Sequence, residues 1–267
     1  MTSQPTGGPG KTVLELRGVG VSFGGLVALE DVSLAAAAGT VVGVIGPNGA
    51  GKTTLFNVVC GFVEPNVGSV LFEGAPLRPR PHRLASRGIA RTLQGVGLFR
   101  GLTVLENVMA GATHSARAGL VSALLGLPRS DREERRLRDE AMTLLEELGV
   151  AEHAQAWPGT LPYAVGKRVA LARALIARPR LLLLDEPAGG LGGDDVDELA
   201  ELIVDLPTRA SAGCSVMLVE HHMDLVMKVC DQIVVLDFGR VVASGTPSQI
   251  RENPAVAEAY LGAEVLP

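Results

Sequence analysis

The chain has 267 residues, 47% hydrophobic, 20% charged and only 3% aromatic, with a formal net charge of −5. The acidic excess removes any overall attraction to phosphate polymers and argues against a nucleic-acid binder, and the scarcity of aromatics argues against an aromatic-lined sugar or peptide groove. The length suffices for a substantial core in one large domain or two small ones, while Cys60, Cys214 and Cys230 stand too far apart for a disulfide framework or a zinc ribbon, which fits a reducing compartment.

Residues 1–11 are polar and rich in glycine and proline; they read as a disordered tail without the apolar stretch of a signal peptide. Apolar stretches at 12–16, 19–23 and 33–36 read as strands, followed by the strand Val41–Ile45, which runs into a glycine loop and a helix opening near Lys52. Two more short strands are expected to flank 70–72. From about Gln94 to Pro162 the pattern turns helical, and ten of the twelve residues from 129 to 140 are charged with mixed signs. That run reads as a solvated helix face. It leads into an amphipathic helix with Leu137, Ala141, Leu144, Leu145 and Leu148 on one side. A helix at 163–177, a buried strand at 181–184, a helix near 194–206, a strand at 216–219, a helix near 223–229 and a closing strand at 232–236 follow. Apolar strands separated by helices predict a largely parallel sheet covered on both faces. No run approaches the ~18–20 apolar residues of a membrane span, so a soluble, cytosolic chain able to dock on a membrane partner is expected.

The strongest chemical signal runs from Gly46 to Thr53 and matches G-x-x-x-x-G-K-[ST]. Gly46, Asn48, Gly49 and Gly51 let backbone N–H groups turn toward phosphate oxygens, Lys52 reaches the β- and γ-phosphates, and Thr53 offers a hydroxyl to Mg²⁺. Lysine is rare, with only Lys11, Lys52, Lys167 and Lys228 in the chain, so a lysine at this position stands out. The loop follows an apolar strand and opens a helix, the context the motif requires. A second signal is the apolar run 181–184 ending in Asp185 and Glu186. Ligands of open α/β sheets bind at the carboxyl ends of strands, which suits Asp185 to hold Mg²⁺ through water and Glu186 to polarise an attacking water.

Two further positions complete a set: Gln94, after Arg91, Thr92 and Leu93, and His221, after Glu220 and before His222. In this order the chain resembles the ATP-binding subunit of an ABC transporter from Val13 to Gly262. The resemblance implies an α/β fold with a P-loop NTPase (RecA-like) core, an antiparallel β subdomain and a helical subdomain. It implies one ATPase domain over 12–262, with 12–93 and 163–250 as the ATP-binding lobe, 94–162 as the helical part with a polar insertion, and 263–267 as a tail. ATP and Mg²⁺ are the implied ligands. Phe23 then matches the aromatic that stacks on adenine, Thr54 joins the phosphate loop, Gln94 contacts Mg²⁺ and senses the γ-phosphate, and His221 holds that phosphate. The segments around Phe23, from Arg91 to Phe99, from Leu102 to Asn107, from Gly245 to Pro254 and from Ala259 to Gly262 resemble the ATPases of branched-chain amino acid importers. That branch implies membrane-spanning permease subunits, a second ATPase subunit in a head-to-tail hetero- or homodimer, an indirect solute-binding protein and a peripheral place on the cytoplasmic face. A permease helix is expected on the surface that includes 96–99.

One segment departs from the family. The signature, typically Leu-Ser-Gly-Gly-Gln, aligns with Leu161, Pro162, Tyr163, Ala164 and Val165. Pro162 replaces the serine, Ala164 the second glycine and Val165 the glutamine. The segment from Gly189 to Gly192 also lacks the Asp or Asn that often ends its motif. Both changes fall on what the chain lends to its partner's site. A weakly hydrolytic regulatory subunit, or an importer ATPase for another small solute, are the alternatives. A non-transport relative acting on ribosomes or DNA usually has two fused cassettes or a long coiled-coil insertion, absent here.

Overall fold

The computed structural model describes residues 11–92, 95–112, 128–208 and 213–263. Two sheets organise them. A four-stranded antiparallel sheet has the order β2-β1-β4-β5, from β1 (Thr12–Phe23), β2 (Leu26–Ala37), β4 (Val67–Phe72) and β5 (Ala75–Pro76). A six-stranded sheet has the order β10-β9-β3-β8-β7-β6, from β3 (Val41–Ile45), β6 (Ile89–Arg91), β7 (Leu181–Asp185), β8 (Ser215–Val219), β9 (Gln232–Asp237) and β10 (Arg240–Gly245). It is parallel from β9 through β6, with β10 an antiparallel edge.

The two-residue period of the central strands divides the interior into two cores. Val42 and Val44, Leu181 and Leu183, Met217 and Val219, and Val234 and Leu236 face the antiparallel sheet and the helix α1 (Lys52–Cys60). Val41 and Ile45, Leu182 and Leu184, Val216 and Leu218, and Ile233 and Val235 face the other helices. These are α2 (Val104–Ala110), α3 (Pro128–Glu147), α4 (Tyr163–Leu175), α5 (Gly193–Asp205) and α6 (Met223–Val229), with α7 (Pro247–Arg251) and α8 (Pro254–Ala263) closing the chain. Because both faces are covered, these strands are apolar throughout rather than alternating. The stripe Ala141, Leu144, Leu145 and Leu148 is buried, with Leu137 packed beside it.

The structure corrects several sequence expectations. The stretches 12–16 and 19–23 are one strand, whose register shifts between Leu16 and Val19 where Gly18 takes a left-handed φ of 56°. Strand 33–36 is the end of the longer β2. Strand 232–236 does not close the series, since the edge strand β10 follows it and its half-exposed residues carry little apolar signal. The three-residue β6 is a further addition, because so short a run has no period of its own. The tail at 1–10, Gln94 and the first part of the polar insertion lie outside the described residues.

Burial pushes the Cys214 thiol up to about 11 and the Cys230 thiol up to about 12. Both therefore stay protonated and unreactive at neutral pH, and all three cysteines are buried free thiols.

A single amide organises the segment after Gln94. Asn107 is fully buried on α2; its Oδ1 accepts from the N–H of Phe99 at 2.8 Å, and its Nδ2 donates to the carbonyls of Phe99, Leu102 and Thr103. Thr103 and Glu106 form a reciprocal cap on the same helix. Asn107→Ala strands these buried groups, at ~1–3 kcal/mol for each that stays dry. A loss of about 3 kcal/mol is expected, read as a lower urea midpoint at unchanged m-value.

Candidate active site

Parallel strands bring three loops to one edge of the large sheet. β8 lies between β3 and β7, so the loops that follow β3, β8 and β7 leave the sheet side by side. The loop after β3 holds Gly46, Asn48, Gly49 and Gly51, then Lys52, Thr53 and Thr54 on the first turn of α1. Gly46 has a φ of 148°, and a Cβ there would sit 2.0 Å from the Leu236 carbonyl oxygen. Gly51, at φ 98°, would drive a Cβ to 2.6 Å from the Ala28 oxygen. Only glycine fits either position. Gly51 caps α1 without a side chain, so no cap side chain competes with an anion for the first-turn N–H groups. The Lys52 amine bends back over the loop and donates to the carbonyls of Gly46 at 2.6 Å and Pro47 at 2.8 Å. Burial lowers its pKa below the ordinary lysine value, against the opposing pull of the Glu186 carboxylate.

β7 ends at Asp185, whose Oδ2 accepts from Arg91 Nη2 at 2.6 Å. Arg91 lies on β6, donates from Nη1 to Asn57 Oδ1 at 3.1 Å, and sits over the rings of Phe56 and Phe62. The pair is nearly buried, with 14% and 7% of the two side chains exposed. Arg91 thus joins Asp185 to α1, a role sequence reasoning missed. Glu186 follows in the left-handed region at φ 47°, its N–H bonded to the Val219 oxygen at 2.9 Å.

The loop after β8 carries a second missed residue. Glu220 is fully buried, accepting from the N–H of Ala188 at 2.7 Å and from the N–H groups of His221 at 2.8 Å and His222 at 3.1 Å. Three backbone donors satisfy a charge that would otherwise be costly to bury. They also tie the turn after Glu186 to the backbone of His221. The only sequence signal for this is an acidic residue at the end of an apolar strand. Both imidazoles are exposed, with ring centroids 5.3 Å apart.

Other predicted residues flank these loops. Phe23 is half exposed at the tip of the β1–β2 hairpin, and Gly51 presses on the same β2 at Ala28. Gln94 lies outside the described residues. Pro162 is the N-cap of α4 without a side-chain cap; Tyr163 is exposed, and Ala164 and Val165 are half buried.

A glycine loop and lysine, an adjacent pair of carboxylates and a histidine loop, all at the carboxyl edge of one parallel sheet, define a P-loop nucleotide hydrolase. The antiparallel sheet and the helical layer make it a cassette. The sequence matches the ABC transporter family over residues 29–189, and the branched-chain amino acid ATP-binding cassette transporter family over 240–265. It is 41% identical over 253 residues to the high-affinity branched-chain amino acid transport ATP-binding protein BraF of Pseudomonas aeruginosa, covering 94% of this chain and 98% of that protein. It is 41% identical over 251 residues to LivG of Escherichia coli, with the same coverage. A nucleotide-free ATP-binding cassette from an ABC transporter superposes with a TM-score of 0.80 at 29% identity, over 93% of this chain and 98% of that one. The chain belongs to the ABC transporter family, as an ATP-binding, ATP-hydrolysing subunit coupled to transport.

Proposed function

We propose that the chain powers import of branched-chain amino acids through a membrane permease. The observation that carries this reading is the match over residues 240–265, a segment outside the general family match. That segment comprises β10, α7 and α8, and its Tyr260 hydroxyl reaches Met223 Sδ at 3.9 Å, where the His221 loop enters α6. Uptake of radiolabelled leucine in a strain lacking the gene tests it. Uptake should fall and return with the wild-type chain but not with Lys52→Ala; unchanged leucine uptake in the deletion strain overturns the cargo.

The residue roles follow from charge and position. Lys52, the loop N–H groups and the α1 N-terminus bind and orient the β- and γ-phosphates, with Phe23 stacking on adenine. Glu186 takes up the proton of the attacking water, a step general bases accelerate. His221 holds the γ-phosphate from the neighbouring strand end. Mg²⁺ suits hard oxygen donors: the Asp185 carboxylate, through water, and the Thr53 hydroxyl would hold it, and the family resemblance adds Gln94, which lies outside the described residues. When bound, the ion supplies positive charge against the charge developing on the phosphates.

Among the described residues no helix is long and apolar enough to cross a membrane. A peripheral place on the cytoplasmic face is proposed from the family's role in import. The partners proposed are two permease subunits, a second ATPase subunit packed head to tail and, indirectly, a solute-binding protein. In the segment 96–99 expected on the permease surface, Leu98 is half buried and packs against the helical-side core. Phe99 is 56% exposed, with Arg173 5.5 Å from its ring centre. Phe99→Asp is expected to leave ATP hydrolysis within about twofold and lower uptake at least about tenfold, because a desolvated interfacial charge costs several kcal/mol. Normal uptake places the permease elsewhere.

A further inference from the structure

Lys167 stands in the second turn of α4 and is 9% exposed, a rare setting for an ammonium group. Among the described residues no carboxylate pairs with it. Its Nζ donates to the main-chain oxygen of Glu186 at 3.1 Å and lies 5.5 Å from the centre of the Tyr163 ring. That ring packs in turn against Gly190, where an added Cβ would meet Tyr163 Cε1 at 3.0 Å.

The Glu186 oxygen is a demanding place for a donor. A non-glycine residue at φ 47° is strained and persists only where its surroundings fix it. Donors to that carbonyl include the N–H of Gly189 at 3.1 Å and Lys167. Gly189 belongs to the same turn and moves with it. Lys167 comes from a different element and therefore refers the turn to α4, the helix that begins at the altered signature. The ring of Tyr163 favours the ammonium group beneath it.

We propose that Lys167 is a positioning residue for Glu186, holding through the Glu186 carbonyl the left-handed turn that sets the direction of its carboxylate at the end of β7. The inference rests on Glu186 as the group that activates water. Small displacements of a reacting group cost up to ~10²-fold in rate, so the effect belongs in kcat and not in ATP affinity.

The test compares Lys167→Met, Lys167→Arg, Glu186→Gln and the double variant Lys167→Met/Glu186→Gln in the purified transporter complex. Steady-state and single-turnover hydrolysis are measured, along with binding of a fluorescent ATP analogue. Lys167→Met should lower kcat by about 10- to 30-fold, with KM and analogue affinity within about twofold. Lys167→Arg, which keeps the charge and the donors, should recover at least about a third of the rate. On the Glu186→Gln background the lysine change should add no further loss, since its effect passes through a carboxylate already removed. Equal losses on both backgrounds, or a loss confined to KM, overturn the proposal. If Lys167→Met does not fold, Lys167→Gln is read by the same criteria. Full turnover by Glu186→Gln alone sinks the assignment of the base. Full turnover by Lys167→Met with Glu186→Gln inactive sinks the positioning role alone.

Discussion

Glu186→Gln should leave ATP binding intact and lower hydrolysis at this chain's own site by about 10²- to 10⁴-fold, the usual contribution of a general base. The phosphate cradle is built from other groups: the backbone of the loop from Gly46 to Gly51, the first turn of α1 and the Lys52 amine. The side chain of Glu186 supplies none of these. Glutamine keeps its length and its main-chain bonds to Val219 and Lys167, so the left-handed turn has no new reason to relax. What disappears is the proton acceptor, together with a negative charge in the field of Lys52. Fluorescent-nucleotide titration and single-turnover hydrolysis separate the two quantities. Undiminished turnover at this site would assign the base to another residue.

If the second ATPase subunit is a different chain with an intact signature, Lys52→Ala should nearly abolish turnover, while the equivalent change in that subunit should cost far less. In the head-to-tail arrangement proposed above, the site that Lys52 serves would be completed by the partner's signature, whereas this chain would complete its partner's site with Pro162 to Val165. An ordinary signature offers a hydroxyl and backbone donors at a helix N-terminus. Here Pro162, as the N-cap of α4, has neither hydroxyl nor N–H, and its own carbonyl is engaged by the Gly166 N–H at 3.0 Å. Ala164 adds a methyl group where a glycine would let the chain approach phosphate. Losing one hydrogen bond to a charged group costs ~1.5–3 kcal/mol, about 10- to 100-fold in rate. The remaining N–H groups of α4 still favour an anion, so slow hydrolysis with retained binding is expected at the partner's site. Turnover of the two single-lysine variants in the reconstituted complex checks this. Equal losses would make Pro162 and Ala164 harmless and the two sites equivalent.

Residues whose roles are set by near neighbours are legible in the amino-acid order. A glycine loop between an apolar strand and a helix is a local pattern, since the backbone that cradles phosphate spans the few positions from Gly46 to Thr53. Asp185 and Glu186 announce themselves in the same way, at the end of four leucines that form the buried strand β7. The two-faced parallel sheet is also readable, because burial on both sides leaves strands apolar throughout. The loss of the signature serine and glycine is plain from residue types alone.

Other features depend on which strands become neighbours, and no local pattern records that. Arg91 and Asp185 are 94 residues apart and meet only because β6 pairs with β7. Glu220 reads as one more acidic residue until β8 settles between β3 and β7, which puts its carboxylate under the N–H of Ala188 as well as its own loop. Lys167 looks like part of an exposed signature until α4 packs on the turn of Glu186 and buries the amine. Leu98 reads as a surface residue and turns inward, while Phe99 beside it faces out. The edge strands β6 and β10 escape a sequence reading because their pairing is supplied by a neighbour and not by a period of their own. The residue types proposed for phosphate binding and water activation can thus be read from the order of the residues, since each sits in a short local pattern. What holds them in place is settled by tertiary packing, because buried charges are stabilised by partners that only the packed sheet brings within hydrogen-bond distance.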